Sequence, residues 1–230
     1  MNTVHVFPAA PPIEERILSR FRNLATPTVS DSMERTPGST GLFPVGNSMA
    51  SVKGHSMAGT ALTVRTRPGD NLSVHCALDM ARPGDVLVID ARGELVNAIL
   101  GELMTLYAAS RGVVGIVVDG AVRDSDIISA GPIPVFARGF SHLGPYKSGP
   151  GAIHGPVTIG GCTVQDGDIV IGDADGLAFV PMHRALEVVV AAEAVVEKEI
   201  GQREAIQHGT WDRTWVAQVA DIVYGEGAGL

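Results

Sequence analysis

Residues 101–126 read GELMTLYAASRGVVGIVVDGAVRDSD, and the fold turns on how this stretch divides. Gly101-Glu102 opens a helix, VVGIVV at 113–118 is a strand, and the loop beyond it runs through Asp119-Gly120 to Arg123-Asp124. The strand is apolar without interruption, as strands buried on both faces are. At the start of the helix the amides of Leu103 and Met104 have no intrahelical acceptor, and the helix dipole adds partial positive charge, so this end suits an anion. In open α/β sheets ligands collect beyond strand C-termini and beside helix N-termini. Two acids, Glu102 and Asp124, can therefore meet one guanidinium, Arg123, at one corner. An arginine can grip a carboxylate through two parallel hydrogen bonds or face a developing oxyanion, and an aspartate can hold a hard divalent cation. Spacing alone also allows a plainer reading: a solvated Arg-Asp pair and a favourable acid at a helix start.

Working outward, residues 1–12 are rich in Pro and Ala and read as a loose arm. Ile13, Ile17, Leu18 and Phe21 fall at helical spacing, and Pro27 ends that helix. TVSDSMERT has a second helical look, and the Gly/Ser/Pro-rich run 38–56 reads as loop with one short strand at most. Leu62, Val64 and Thr66 alternate with Thr63 and Arg65, which predicts a half-buried strand closed by a Pro-Gly-Asp turn. A short helix from Leu72 to Met80 follows, and then a second Pro-Gly-Asp turn launches VLVID. A similar phrase, GDIVIGD, returns near residue 170, and Asp90 and Asp173, at the ends of these strands, read as turn formers. Residues 130–180 predict several short strands packed as a sheet or barrel. From Pro181 one long helix continues to Gly209, and the tail 210–230 holds Trp211 and Trp215 and reads as a docking segment. The domain reading is thus an arm at 1–12, one domain at 13–209 and a tail at 210–230. The class is α/β with a mixed sheet, and no clean βαβαβ order is visible.

The 230 residues suffice for one substantial core. With 45% hydrophobic and 18% charged residues and a mean hydropathy of +0.21, the chain has little charge to cover its surface, which points to apolar area buried between subunits. A net charge of −8 argues against nucleic acid or an anionic membrane as partner. Cys76 and Cys162 fit neither a zinc motif nor a disulfide framework, which suits a reducing cytoplasm. No apolar run is long enough to span a bilayer.

The phrases GELM, ARGVVGIVVDGAVRDSD and PVFARG, with GTALTVRTRPGDN, RPGDVLVID and GDIVIGDADGLAFVP around them, resemble the RraA-like family, which includes class II 4-hydroxy-4-methyl-2-oxoglutarate / 4-carboxy-4-hydroxy-2-oxoadipate aldolases. The resemblance implies a layered α-β-β-α sandwich with a mixed sheet or barrel-like core, similar to swivelling phosphohistidine domains. It also implies a lyase releasing pyruvate from a 4-hydroxy-2-oxo dicarboxylic acid and decarboxylating oxaloacetate. Asp124 would bind Mg²⁺ or Mn²⁺ directly, and Arg123 would hold the pyruvate part and its enolate. Glu102, where many members have Asp, would hold a metal-bound water. Gly101 with the amides of Leu103 and Met104 would take the substrate carboxylate. Glu199, or failing that Glu197, would come from a neighbouring subunit of a trimer or hexamer. Asn71 and His75 would bind the distal part of the substrate. The same family includes RraA, which binds ribonuclease E, so a regulatory protein is the alternative.

Overall fold

In a computed structural model describing residues 2–34, 38–52, 54 and 56–223, the apolar run at 113–118 enters a nine-stranded mixed sheet at Gly115 and its strand continues to Val122. In chain order the elements begin with β1 (Val4–Val6), α1 (Glu15–Phe21), α2 (Thr26–Asp31), β2 (Phe43–Pro44), β3 (Met57–Thr66), α3 (Leu72–Met80) and β4 (Asp85–Leu100). They continue with α4 (Glu102–Ser110), β5 (Gly115–Val122), α5 (Ser125–Ser129), β6 (Val135–Phe140), β7 (Gly151–Ile153), β8 (Val157–Ile159) and β9 (Cys162–Val164). The last are β10 (Ile169–Asp173), β11 (Gly176–Val180), α6 (Ala185–Gln207) and α7 (Thr214–Val219). The chain divides into two compact units, one ending at Ala192 and the other beginning at Glu193 within α6.

Strands β3, β4, β5 and β6 pair in parallel and in sequence order, with α3, α4 and α5 as the connections. The sequence shows no clean βαβαβ order, and the structure has one. With α3 at nine residues and α5 at five, the helical period had little length in which to show. The sheet is mixed because β10, β7 and β2 join it antiparallel. One face packs Leu62, Val64, Leu87, Ile89, Ile116 and Val118 against Val74, Ala77 and Leu78 of α3, Ala108 of α4 and Ile128 of α5. The other face packs Ala61, Val86, Val88, Val117 and Phe136 against Val157, Ile159 and Val164 of the β8–β9 hairpin, with Val170 and Leu177 beside them. Helix α2 lies against β10 and β11. The layered α/β arrangement with a mixed central sheet and a C-terminal helix is the one expected.

Three further expectations change. Strand β3 is buried on both faces except at Thr60 and Arg65, because the hairpin covers the side that alternation left polar. The arm is tied down: β1 pairs in parallel with β7, and Phe7 N donates to Ile153 O at 3.0 Å. The strand VLVID continues to Leu100, past left-handed Arg92 (φ 58) and Gly93 (φ 70), through register shifts against β5. Asp90 and Asp173 cap backbone as their sequence setting suggested. Asp90 accepts from Arg92 N at 3.0 Å, and Asp173 accepts from Thr26 N at 2.7 Å and Asp175 N at 2.9 Å.

Candidate functional site

Where β4 ends, Gly101 turns the chain into α4, and where the neighbouring β5 ends, Arg123 and Asp124 follow at once. Arg123 N donates to Leu100 O at 3.0 Å, which ties the two strand ends together. Asp124 sits in the left-handed region (φ 56), and its Oδ2 accepts from the Glu102 amide at 3.0 Å. One orphan amide of α4 is thus taken by protein, leaving those of Leu103 and Met104 for a ligand. Arg123 Nε stands 3.7 Å from the same Asp124 oxygen, and the two side chains are 45% and 38% exposed. Gly101 makes this approach possible. A Cβ there would lie 2.3 Å from Asp124 Oδ2 and 2.9 Å from Arg123 Cγ, so the corner admits only glycine without moving both functional side chains.

These residues line a cleft of about 450 Å³, together with Leu100, Glu102, Leu103, Met104, Asn71, His75, Pro145 and Lys147. The structure therefore gathers Arg123, Asp124, Glu102, Gly101, Leu103, Met104, Asn71 and His75, the expected residues of the first unit, around one space. Asn71 is 2% exposed, and its Nδ2 donates to Ile99 O at 2.9 Å and approaches Met104 Sδ at 3.2 Å. Among the described residues its buried Oδ1 has no partner. A buried amide oxygen left unmatched is costly, and a ligand hydroxyl would satisfy it. His75 is half-buried, and burial first, then the charge of Lys147, hold its imidazole below the usual range against the opposing pull of Asp79. Glu199 and Glu197 lie on α6 in the second unit, where Glu199 accepts from Arg203 Nη2 at 2.9 Å.

Sequence reasoning missed Pro145 and Lys147, and it read Asp70 only as part of a turn. Asp70 is fully buried. Its Oδ2 accepts from Ser148 N at 2.6 Å and Gly149 N at 3.0 Å, while Oδ1 accepts from Leu72 N at 2.9 Å. This carboxylate fixes the 145–149 loop against the start of α3, and Asn97 Nδ2 holds Gly144 O at 2.7 Å from the β4 side. A buried acid in a Pro-Gly-Asp turn beside Asn71 was the available signal.

Among the described residues no three of His, Cys, Asp and Glu form an all-protein metal cage. The donor set instead suits Mg²⁺ or Mn²⁺, which bind through one or two carboxylates and keep several waters. Asp124 has one oxygen bonded to the Glu102 amide and one not, and Glu102 lines the same cleft.

Fold and cleft define an α/β protein with a candidate ligand cleft at the C-terminal edge of parallel strands, between a helix start and an Arg-Asp corner. The chain belongs to the RraA-like family: the family described as Aldolase/RraA matches residues 26–179. A protein of Halalkalibacterium halodurans named "Putative 4-hydroxy-4-methyl-2-oxoglutarate aldolase" is 34% identical over 189 residues, 82% of this chain and 88% of that protein. An uncharacterized protein from Pseudomonas syringae pv. tomato superposes with a TM-score of 0.75 at 29% identity, over 87% of this chain and 96% of that one. RraAS2 of Streptomyces coelicolor, described as an unusual member of the RNase ES inhibitor RraA family, superposes with a TM-score of 0.75 at 25% identity, over 84% and 98% of the two chains.

Proposed function

We propose that this protein is a divalent-metal-dependent carbon–carbon lyase that cleaves a 4-hydroxy-2-oxo dicarboxylic acid, such as 4-hydroxy-4-methyl-2-oxoglutarate, to pyruvate and a second oxo acid. The convergence of Arg123, Asp124, Glu102 and the first amides of α4 on one cleft carries this reading. Mg²⁺ or Mn²⁺ held by Asp124 would supply Lewis acidity toward the 2-oxo acid. The Leu103 and Met104 amides bind the C1 carboxylate at the positive end of α4. Arg123 faces the 2-oxo oxygen, where negative charge grows as the C3–C4 bond breaks and its electron pair moves into the pyruvate enolate. A water oriented by Glu102 takes the 4-hydroxyl proton as C4 becomes a carbonyl, and the same water delivers a proton to C3 of the enolate. Lys147 meets the distal carboxylate, Asn71 Oδ1 accepts from a substrate hydroxyl, and neutral His75 lies beside them. Because loss of CO₂ from oxaloacetate yields the same enolate, the site decarboxylates oxaloacetate as well. No lysine lies between Gly101 and Asp126, which weighs against a Schiff base.

Exposed apolar side chains sit on the elements that carry the cleft: Leu103 (78%) and Leu106 (46%) on α4, Ile127 (51%) on α5 and Phe140 (61%) at the end of β6. They support contact between copies of the chain; in this reading the assembly is a trimer or hexamer in which Glu199 of a neighbouring subunit, with Glu197 as the second choice, completes the site. The test is pyruvate release from 4-hydroxy-4-methyl-2-oxoglutarate and from oxaloacetate, before and after EDTA. Turnover of both, abolished by EDTA and restored by Mg²⁺, is expected. No metal-dependent turnover of either would favour the second reading, a regulatory protein acting on a ribonuclease, which the likeness to RraAS2 supports.

A further inference from the structure

We propose a second binding site, for a small polyanion, in the cleft framed by Arg65, Arg67, Arg92 and His5. The cleft encloses about 330 Å³ and shares no lining residue with the one at Arg123 and Asp124. Its walls are the end of β3, the turn at Arg67-Pro68, the bend of β4 at Arg92, the edge strand β1 and the chain from Pro150 to Ala152.

Arg65 is the exposed position in a run of buried ones, Ala61 to Thr66, so the sheet delivers a guanidinium from a dry interior into this cleft. Arg92 reaches it from a left-handed backbone (φ 58), a conformation that disfavours a side chain with a Cβ. Among the described residues, no carboxylate forms an ion pair with Arg65 or Arg92. The partner of Arg67 is Asp70 at 3.6 Å, a carboxylate already accepting from the amides of Leu72, Ser148 and Gly149. Three guanidiniums thus share one concavity on a chain of net charge −8, and the two carboxylates near them, Asp70 and Asp90, already accept from backbone amides. Their mutual repulsion is relieved by an anion, and a concave site focuses that attraction.

The ligand class follows from the donors. Guanidinium forks take carboxylate or phosphate groups through paired hydrogen bonds. Three forks around this volume suit a molecule bearing two or three such groups, and Phe7, Pro68 and Pro150 provide apolar wall for a short carbon chain between them. The overall negative charge disfavours an extended polyanion such as a nucleic acid. The Arg67 guanidinium also lies 5.8 Å from the ring of Tyr146, the residue before Lys147 of the other cleft.

The test is calorimetric titration of citrate and of pyrophosphate into the metal-free intact chain at low ionic strength. The Arg123→Ala variant serves as the background, so that the other cleft has lost its guanidinium. One saturating event per chain is expected for at least one probe, and the two probes separate a carboxylate from a phosphate ligand. Affinity should fall by roughly tenfold or more in Arg65→Gln/Arg92→Gln and recover partly in Arg65→Lys/Arg92→Lys, with unchanged thermal unfolding midpoints. Equal binding by the Gln variant, or no saturable binding of either probe, overturns the site. A Gln variant that instead changes sedimentation while neither probe binds the parent assigns the arginines to a contact between copies, which also overturns it.

Discussion

Two arginine–aspartate pairs, one joining β6 to β5 and the other just beyond the end of β5, are put to opposite uses. In one, Arg138 on β6 donates through Nε to Asp119 Oδ1 at 2.5 Å, and Asp119 Oδ2 accepts from Gly160 N at 2.8 Å. That carboxylate is 7% exposed with both oxygens engaged, and it pins the hairpin layer to the sheet. In the other, Arg123 and Asp124 are separated by 3.7 Å, are well exposed, and share an oxygen with a helix amide at the rim of a cleft. The residue types are the same. What differs is where the strand stops: Asp119 lies within β5 and points into a packed layer, whereas Arg123 and Asp124 come just after β5 has ended.

The largest expected effect falls on the open pair. Asp124→Asn should lower metal-dependent turnover on the order of 10³-fold. Because asparagine can still accept from the Glu102 amide, the unfolding free energy should move by less than about 1 kcal/mol, read by urea titration. Large stability loss in this variant would make the open pair structural and erase the contrast. Gly101→Ala comes next. Its Cβ would collide with Asp124 Oδ2 and Arg123 Cγ, and a displacement near 1 Å should cost roughly 10²-fold in turnover with small change in far-UV circular dichroism. An active Gly101→Ala enzyme would show that the corner does not need its tight geometry.

The closed pair sharpens the comparison from the other side. Arg138→Ala leaves a buried carboxylate short of its partner and should cost about 2 kcal/mol of folding stability, measured by the urea midpoint. The smallest effect concerns His75. Its folded pKa is depressed, so the unfolded chain binds a proton more readily and the neutral imidazole's contribution is fully present above the ordinary value near pH 6.5. That contribution is lost as pH falls below this value toward the folded pKa. Wild type should therefore lose more stability between pH 7.5 and 5.5 than His75→Gln does, and identical pH profiles would contradict the burial of His75 and, after it, its placement beside Lys147.

Much of this was legible in the chain itself. The helix start at Gly101, the dry strand at 113–118 and the Arg-Asp corner are local patterns, so their meeting could be anticipated from strand and helix geometry. Other features depended on contacts distant in sequence. Lys147 reaches the cleft because Asp70, 79 residues before Gly149, fixes its loop. Strand β3 reads as half-buried because the hairpin that covers it belongs to residues 157–164. The second half of β4 was hidden by Arg92-Gly93, whose left-handed turn looks like an ending and is a bend. Nothing in local pattern told the Arg138–Asp119 pair from the Arg123–Asp124 pair. That distinction lies in which oxygens the rest of the fold has already engaged.

The most direct measurement is metal-dependent pyruvate release from 4-hydroxy-4-methyl-2-oxoglutarate by Arg123→Ala and Arg138→Ala, side by side at a temperature where both are folded. Arg123→Ala should lose activity by at least about 10²-fold at wild-type stability. Arg138→Ala should keep turnover within a few-fold of wild type at reduced stability. Full activity in Arg123→Ala would contradict the assignment of the open pair as the reaction centre.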